Sequence, residues 1–132
     1  MGAVVVDTSV VIGYFDPADA HYEAVEPALL DVRERGDEFI LPASVLAESM
    51  VGRLRREPST AQLRRVATIE MFGEVRVIDE AVAMHAAQVR ASHPRLRLPD
   101  ALVIATGIVE GATVLTCDAQ WAAVDERVRV VG

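Results

Sequence analysis

Ala3-Val4-Val5-Val6-Asp7-Thr8-Ser9 is the stretch on which the reading of this chain turns. Four apolar residues follow one another without alternation, the pattern of a strand buried on both faces. Asp7 stands where that strand ends. An ionised carboxylate beside a buried strand is costly unless it is hydrogen-bonded or holds a cation. In open parallel sheets, ligands bind just beyond the carboxyl ends of the strands. Asp7 is therefore either a cap for the turn that follows or the first member of a charged site.

Outward from this strand, the chain alternates short strands with helices. Val10 to Phe15 is apolar and predicts a turn of helix at most, broken by Asp16-Pro17. A helix is expected from a cap at Asp19 to about Arg35, with Tyr22, Val25, Leu29, Leu30 and Val32 in one stripe and Gly36 at its end. Pro27 inside it is expected to kink or divide it. Phe39 to Leu41 reads as a strand ended by Pro42, and Ser44 as the cap of a helix to about Arg56. Val45, Leu46, Met50 and Leu54 would face the core, with Glu48 near that apolar side. A further helix opens at Ser59, carries Leu63, Val66, Ile69 and Phe72 at helical spacing, and stops at Gly73.

Val75 to Ile78 is a predicted strand, and Asp79 caps a helix in which Val82, His85, Ala86 and Val89 share a face. His93-Pro94 stops it. Pro99-Asp100 opens a strongly apolar helix that Gly111 closes, with Asp100 in the first turn. Thr113 to Thr116 is a strand with Asp118 just past its end. A short helical turn from Ala119 to Val124 carries Trp121, and Val128 to Val131 is the last strand. This alternation predicts an α/β fold, a three-layer α/β/α domain with a central parallel sheet, spanning residues 1–132 as one domain.

The totals set bounds. With 132 residues, 52% hydrophobic and 25% charged, the chain is of a globular class and long enough to bury a core. No apolar stretch has the length of a membrane span, and no secretory signal pattern is visible at the N-terminus. The one cysteine, Cys117, cannot form a disulfide within the chain, which fits a reducing compartment and a cytoplasmic location. The net charge of −7 counts against a large electrostatic footprint for nucleic acid. It leaves room for a nuclease whose acidic site is neutralised by metal. All 13 basic residues are Arg, so no mechanism that needs a lysine within this chain is open to it.

Four acids fall at equivalent places: Asp7 and Asp118 after strands, Asp100 at a helix start, and Glu48 on the inner side of a helix. Four carboxylates in one pocket repel one another and could not all stay ionised alone. A divalent cation resolves this, and oxygen ligands favour Mg²⁺ or Mn²⁺ over zinc. Thr8, Ser9 and Thr116 add hydroxyls near the same edge. Each acid also has a structural alternative: a strand-end turn for Asp7, a helix-dipole partner for Asp100, a loop residue for Asp118, an Arg-paired helix acid for Glu48. It is their joint placement that points to a site.

The order of these pieces resembles the PIN-domain family, and within it the VapC-type toxins of toxin–antitoxin pairs. The matching segments are Val-Val-Val-Asp-Thr-Ser-Val-Val-Ile at 4–12, Pro-Ala-Ser-Val-Leu-Ala-Glu at 42–48, Leu-Pro-Asp-Ala-Leu-Val-Ile-Ala-Thr at 98–106 and Val-Leu-Thr-Cys-Asp-Ala-Gln-Trp at 114–121. The resemblance implies a Mg²⁺- or Mn²⁺-dependent endoribonuclease in which a metal-activated water attacks the phosphodiester. It places the metal and the catalysis on Asp7, Glu48, Asp100 and Asp118. It also implies an RNA substrate, a cognate antitoxin protein covering the groove, and a homodimer. One departure stands at the fourth segment: many relatives carry a further Asp and then Phe where this chain has Gln120 and Trp121, which touches any second metal position.

Other readings are weaker. Arg53, Arg55, Arg56, Arg64 and Arg65 form the densest basic stretch, read either as a solvated face with ion pairs or as a contact for RNA or an acidic antitoxin segment. Arg95 and Arg97 are better placed to meet a substrate phosphate. No histidine shows metal-ligand spacing, and Cys117 reads as a buried structural thiol. A phospho-acceptor receiver domain or a haloacid-dehalogenase-like phosphatase would need a lysine. The serious rival is a catalytically inert PIN-fold interaction module.

Overall fold

The structure, a computed structural model, describes residues 2–132. Its elements run β1 (Ala3–Val6), α1 (Thr8–Phe15), α2 (Tyr22–Glu34), β2 (Glu38–Pro42), α3 (Ala43–Arg56), α4 (Ala61–Phe72), β3 (Val75–Arg76), α5 (Glu80–Ser92), α6 (Leu98–Glu110), β4 (Thr113–Thr116) and β5 (Val128–Val130). Short 3₁₀ turns occupy Pro58–Thr60 and Ala119–Ala123. The five strands form one parallel sheet in the order β3-β2-β1-β4-β5, flanked by helices as the alternation predicts.

β1 is the central strand, and Val4, Val5 and Val6 are 3%, 0% and 0% exposed, which explains their unbroken apolar run. The strand order reverses beside β1, since β2 and β3 lie on one side and β4 and β5 on the other. Register sets Val6 against Leu115, so the next residues in each strand, Asp7 and Thr116, emerge side by side at the carboxyl edge. Val5, Val6, Val10, Leu41, Phe72, Ile104, Val114 and Trp121 belong to the main core. A smaller cluster of Val82, Ala86, Ala101 and Ala105 joins α5 to α6.

Several local expectations are corrected. The segment after Asp7 is two turns of helix rather than one, because the Asp7 carbonyl accepts from the amides of Val10 and Val11, and Val10 and Val11 are buried. α2 starts at Tyr22 and runs unbroken through Pro27, which faces solvent where water can satisfy the displaced carbonyl. Ser44 is not the cap of α3: the helix begins at Ala43 behind Pro42, and the Ser44 hydroxyl is buried without a partner. On α3, Leu54 is 54% exposed; on α4, Leu63 and Val66 are 72% and 39% exposed, whereas Phe72 of the expected stripe is buried with Ala61 and Thr68 and Ile69 packs against the core, so the inward face is rotated away from Leu63 and Val66. β3 is only two residues long because its neighbour β2 ends at Pro42, leaving Val77 and Ile78 no ladder to join.

α6 lies close against the sheet at Gly107. A Cβ built there would meet Val114 Cγ2 at 2.3 Å and the Ala112 carbonyl at 3.2 Å. Past the helix end, Gly111 takes the left-handed conformation at φ +64° and its amide bonds back into the last turn. Replacing a helical Gly by Ala gains about 1 kcal/mol of propensity, but overpacking a tight contact costs about 1–3 kcal/mol. Gly107→Ala is therefore expected to lower stability in urea unfolding. Gly52→Ala on α3, where the added atom meets only the movable end of Arg56 at 3.2 Å, is expected to leave it unchanged or raise it by up to about 1 kcal/mol.

Candidate metal centre

Asp7 is 6% exposed and its carboxylate is held by three donors. The Thr8 amide donates to Oδ1 at 2.7 Å, capping α1. The hydroxyls of Ser9 and Thr116 donate to Oδ2 at 2.7 and 2.8 Å. Those hydroxyls are themselves fixed from β4 outward, Ser9 Oγ accepting from the Cys117 amide at 3.0 Å and Thr116 Oγ1 from the Asp118 amide at 3.1 Å. The carboxylate thus bridges β1 and β4 and fastens the start of α1 to both.

Burial pushes the Asp7 carboxyl above its usual range, the hydroxyl and amide donors pull it back down, and the charge of Asp100 raises it further. Burial likewise raises the Cys117 thiol, which makes no disulfide and sits as a structural residue below the site.

Glu48 reaches the same edge from the second turn of α3. The Thr8 hydroxyl donates to Glu48 Oε1 at 2.9 Å, so Thr8 links Asp7 through its amide and Glu48 through its side chain. Asp100 comes from the first turn of α6. Helices that cross between parallel strands run back against them, which brings their N-termini to the carboxyl edge of the sheet. Asp100 is 15% exposed at its side chain and pairs with Arg97, whose Nη2 lies 3.3 Å from Oδ1 and Nε 3.4 Å from Oδ2. Asp118 is exposed, accepts the Gln120 amide at 2.9 Å and caps the following 3₁₀ turn. It shares with Asp100, Arg95, Leu96 and Trp121 the lining of a cavity of about 440 Å³.

A second cavity, of about 320 Å³, opens on the other side of the acids, between Glu48, Phe15 and Arg53, Arg56 and Arg64. Arg53 pairs with Glu57 at 2.8 Å. Arg64 lies over the Phe15 ring at 4.3 Å and makes no ion pair among the described residues. Partial burial and then the nearby Arg53 lower its pKa. Part of the basic stretch is therefore packed into a concave wall rather than simply solvated.

Asp7, Glu48 and Asp100 thus lie toward one another, and Asp118 stands to the side. No three acidic, His or Cys side chains among the described residues are gathered closely enough to hold an ion as they stand. The donor set is nevertheless oxygen throughout, of the hardness that Mg²⁺ and Mn²⁺ require. Asp7 is already immobilised with its charge buried, so the donors fit such an ion once Glu48 and Asp100 turn toward it. The sequence pattern located the acids; it did not contain the Thr8–Glu48 bond, the Arg97–Asp100 pair or the Arg64–Phe15 stack.

The PIN domain family model matches residues 4–127. This chain belongs to the PIN domain family. Its fold is shared with a chain of the VapBC2 complex from Rickettsia felis bound to a promoter DNA fragment, at TM-score 0.80, 12% identity and coverage of 98% of this chain and 99% of that one. FitAcB from Neisseria gonorrhoeae matches at TM-score 0.68 and 25% identity, over 87% of each chain. Mycobacterium tuberculosis VapC20, described as a sarcin–ricin loop cleaving toxin, matches at TM-score 0.69 and 16% identity over 91% and 93%. No curated protein sequence matches the chain.

In this PIN domain the buried Asp7 is a cost that function would have to justify. Its folded pKa is raised, so the unfolded chain gives up its proton first as pH rises. Stability then falls between the ordinary carboxylate pKa and the raised one, and the loss persists at neutral pH. Asp7→Asn removes the buried charge while an amide can still bond Ser9, Thr116 and the Thr8 amide. In metal-free buffer at pH 7 it is expected to raise Tm by about 4 °C, the shift that roughly 1 kcal/mol makes at this length. The gain should vanish once pH falls below the ordinary carboxylate range. A lower Tm for the variant at pH 7 would show the three hydrogen bonds to outweigh the desolvation.

Proposed function

We propose that this PIN domain protein is the toxin of a type II toxin–antitoxin pair, a cytoplasmic endoribonuclease that depends on Mg²⁺ or Mn²⁺. The observation that carries this reading is Asp7: a carboxylate taken out of water at the reversal point of a parallel sheet, with Glu48 and Asp100 turned toward the same edge. A charge so placed destabilises the fold unless something binds to it, which counts against the inert interaction module. Among the structural relatives described above, VapC20 lends support, being a sarcin–ricin loop cleaving toxin.

Asp7, Glu48 and Asp100 would hold the ion, with Asp118 joining from the β4 side directly or through water. When bound, a divalent ion supplies a water acidic enough to be a nucleophile at neutral pH and offsets charge on a phosphodiester oxygen. The chain's own residues do the rest. Ser9 and Thr116 hold Asp7 in one orientation, and Thr8 orients Glu48 toward it. Arg64 and Arg56 offer guanidinium groups to backbone phosphates on the α3–α4 side, and Arg95 does so on the far side. An antitoxin segment laid along the same groove would block it, and a homodimer is the expected assembly. The whole described chain acts as a single nuclease domain, and no helix in it is long and apolar enough to cross a membrane.

The test is cleavage of total cellular RNA by purified protein with Mn²⁺, with EDTA, and with Asp7→Asn. Discrete fragments are expected with Mn²⁺ alone, with loss of more than about 100-fold in the variant. Cleavage that survives EDTA would overturn the metal mechanism. No cleavage and no Mn²⁺ binding by folded protein would favour the inert module. A separate expectation concerns Arg64→Gln: KM for RNA should rise with kcat nearly constant. The salt dependence of RNA binding by the Asp7→Asn protein should weaken by a slope of about one when this second change is added.

A further inference from the structure

One of the candidate ligands, Asp100, is paired with a cation of the protein's own. The Arg97 guanidinium lies along the Asp100 carboxylate with both oxygens engaged, at 3.3 and 3.4 Å. Asp100 raises the pKa of this guanidinium, and the more remote charges of Glu48 and Asp7 act weakly in the same direction. These acids come from three different elements, the end of β1, the middle of α3 and the start of α6. Among the described residues no other Arg or His makes an ion pair with any of the three. His93 and Arg95 line the cavity that Asp100 borders without such a pair, and the chain has no lysine.

We propose that Arg97 is an internal counter-ion for the acidic centre, one that a divalent ion must displace from Asp100 before it binds. The proposal rests on the metal-centre reading above and adds to it a competition built into the chain. The chemistry favours exchange. Arg97 is 70% exposed at its side chain whereas Asp100 is 15% exposed, so the guanidinium can swing into solvent while the carboxylate stays. An exposed ion pair is weak, and a doubly charged ion close to three carboxylates outcompetes a single charge at their rim. Asp100 is engaged by Arg97 in a structure where the acids do not form a ready ligand set. Arg97 is thus a positioning residue: it keeps mutually repelling carboxylates tolerable without metal and lowers the affinity for metal.

The sign of this effect separates it from a merely structural role. Titration of the purified chain with Mn²⁺ alone, followed by calorimetry and by the electron paramagnetic resonance signal of free Mn²⁺, would compare the parent with Arg97→Gln and Arg97→Lys. Arg97→Gln is expected to bind Mn²⁺ about two- to fivefold more tightly, the factor that loss of an exposed ionic competitor allows. Arg97→Lys, which keeps the charge, should stay near the parent, and the difference should shrink at high salt. Circular dichroism melts would verify that each variant is folded. Equal or weaker Mn²⁺ binding by folded Arg97→Gln overturns the counter-ion proposal and leaves the metal centre standing. Absence of Mn²⁺ binding in the parent, Arg97→Gln and Arg97→Lys alike overturns the metal-centre reading and the proposal together.

Discussion

The structure depends on one buried carboxylate. Asp7 ends the central strand, caps α1 and receives hydroxyls from Ser9 and Thr116, so a single side chain ties together the two strands between which the sheet order reverses. Hydrogen bonds to an ionised group are strong, yet burial still leaves this carboxyl harder to ionise than a free one. The fold at this point is therefore held in place and electrostatically unsatisfied together. Such a combination is what a cation-binding centre needs before its ion arrives.

Around Asp7 the other parts follow from parallel α/β geometry. A helix that leads into the next parallel strand, as α6 leads into β4, returns the chain against the strand direction, so its N-terminal turn is delivered to the edge where the strands end. That rule places Asp100, and the direct passage from β2 into α3 places Glu48 two turns along. The cavities on either side, one walled by Arg53, Arg56 and Arg64 and the other by Arg95, Leu96 and Trp121, give the acidic edge a groove in which basic groups flank it. The net charge of −7 over the chain does not describe this groove, where Arg53, Arg56, Arg64 and Arg95 line the two cavities beside the acids.

The core around the site is tight where the site is rigid and loose where partners could come. α6 lies against β4 with no room for a methyl group at Gly107, which fixes the helix that carries Asp100. The outer faces of α3 and α4 instead leave Leu54, Leu63 and Val66 to solvent. Packing thus keeps the acids in register, while α3 and α4, which bear five of the thirteen arginines, stay peripheral.

Local features of the fold are readable from residue order alone. The strands β1 and β4, the helix from Pro99, the stop at Gly111 and the Asp79 cap were legible because burial on both faces, proline at a helix start and glycine at φ > 0 each leave a mark within a few residues. Asp7, Asp118 and Asp100 were legible as strand-end and helix-start residues for the same reason, and Glu48 as an acid on the inner side of a helix. Tertiary packing set which face of α4 turns inward: Leu63, Val66, Ile69 and Phe72 all follow helical spacing, yet of these only Phe72 is fully buried, together with Ala61 and Thr68. It also decided the length of β3, which depends on where its neighbour stops. The contacts that define the site join residues far apart in the chain: Thr8 with Glu48, Thr116 with Asp7, and Arg64 with Phe15. Their partners are set by strand order and helix packing, which are collective outcomes of the whole core, and no local pattern of residues specifies them.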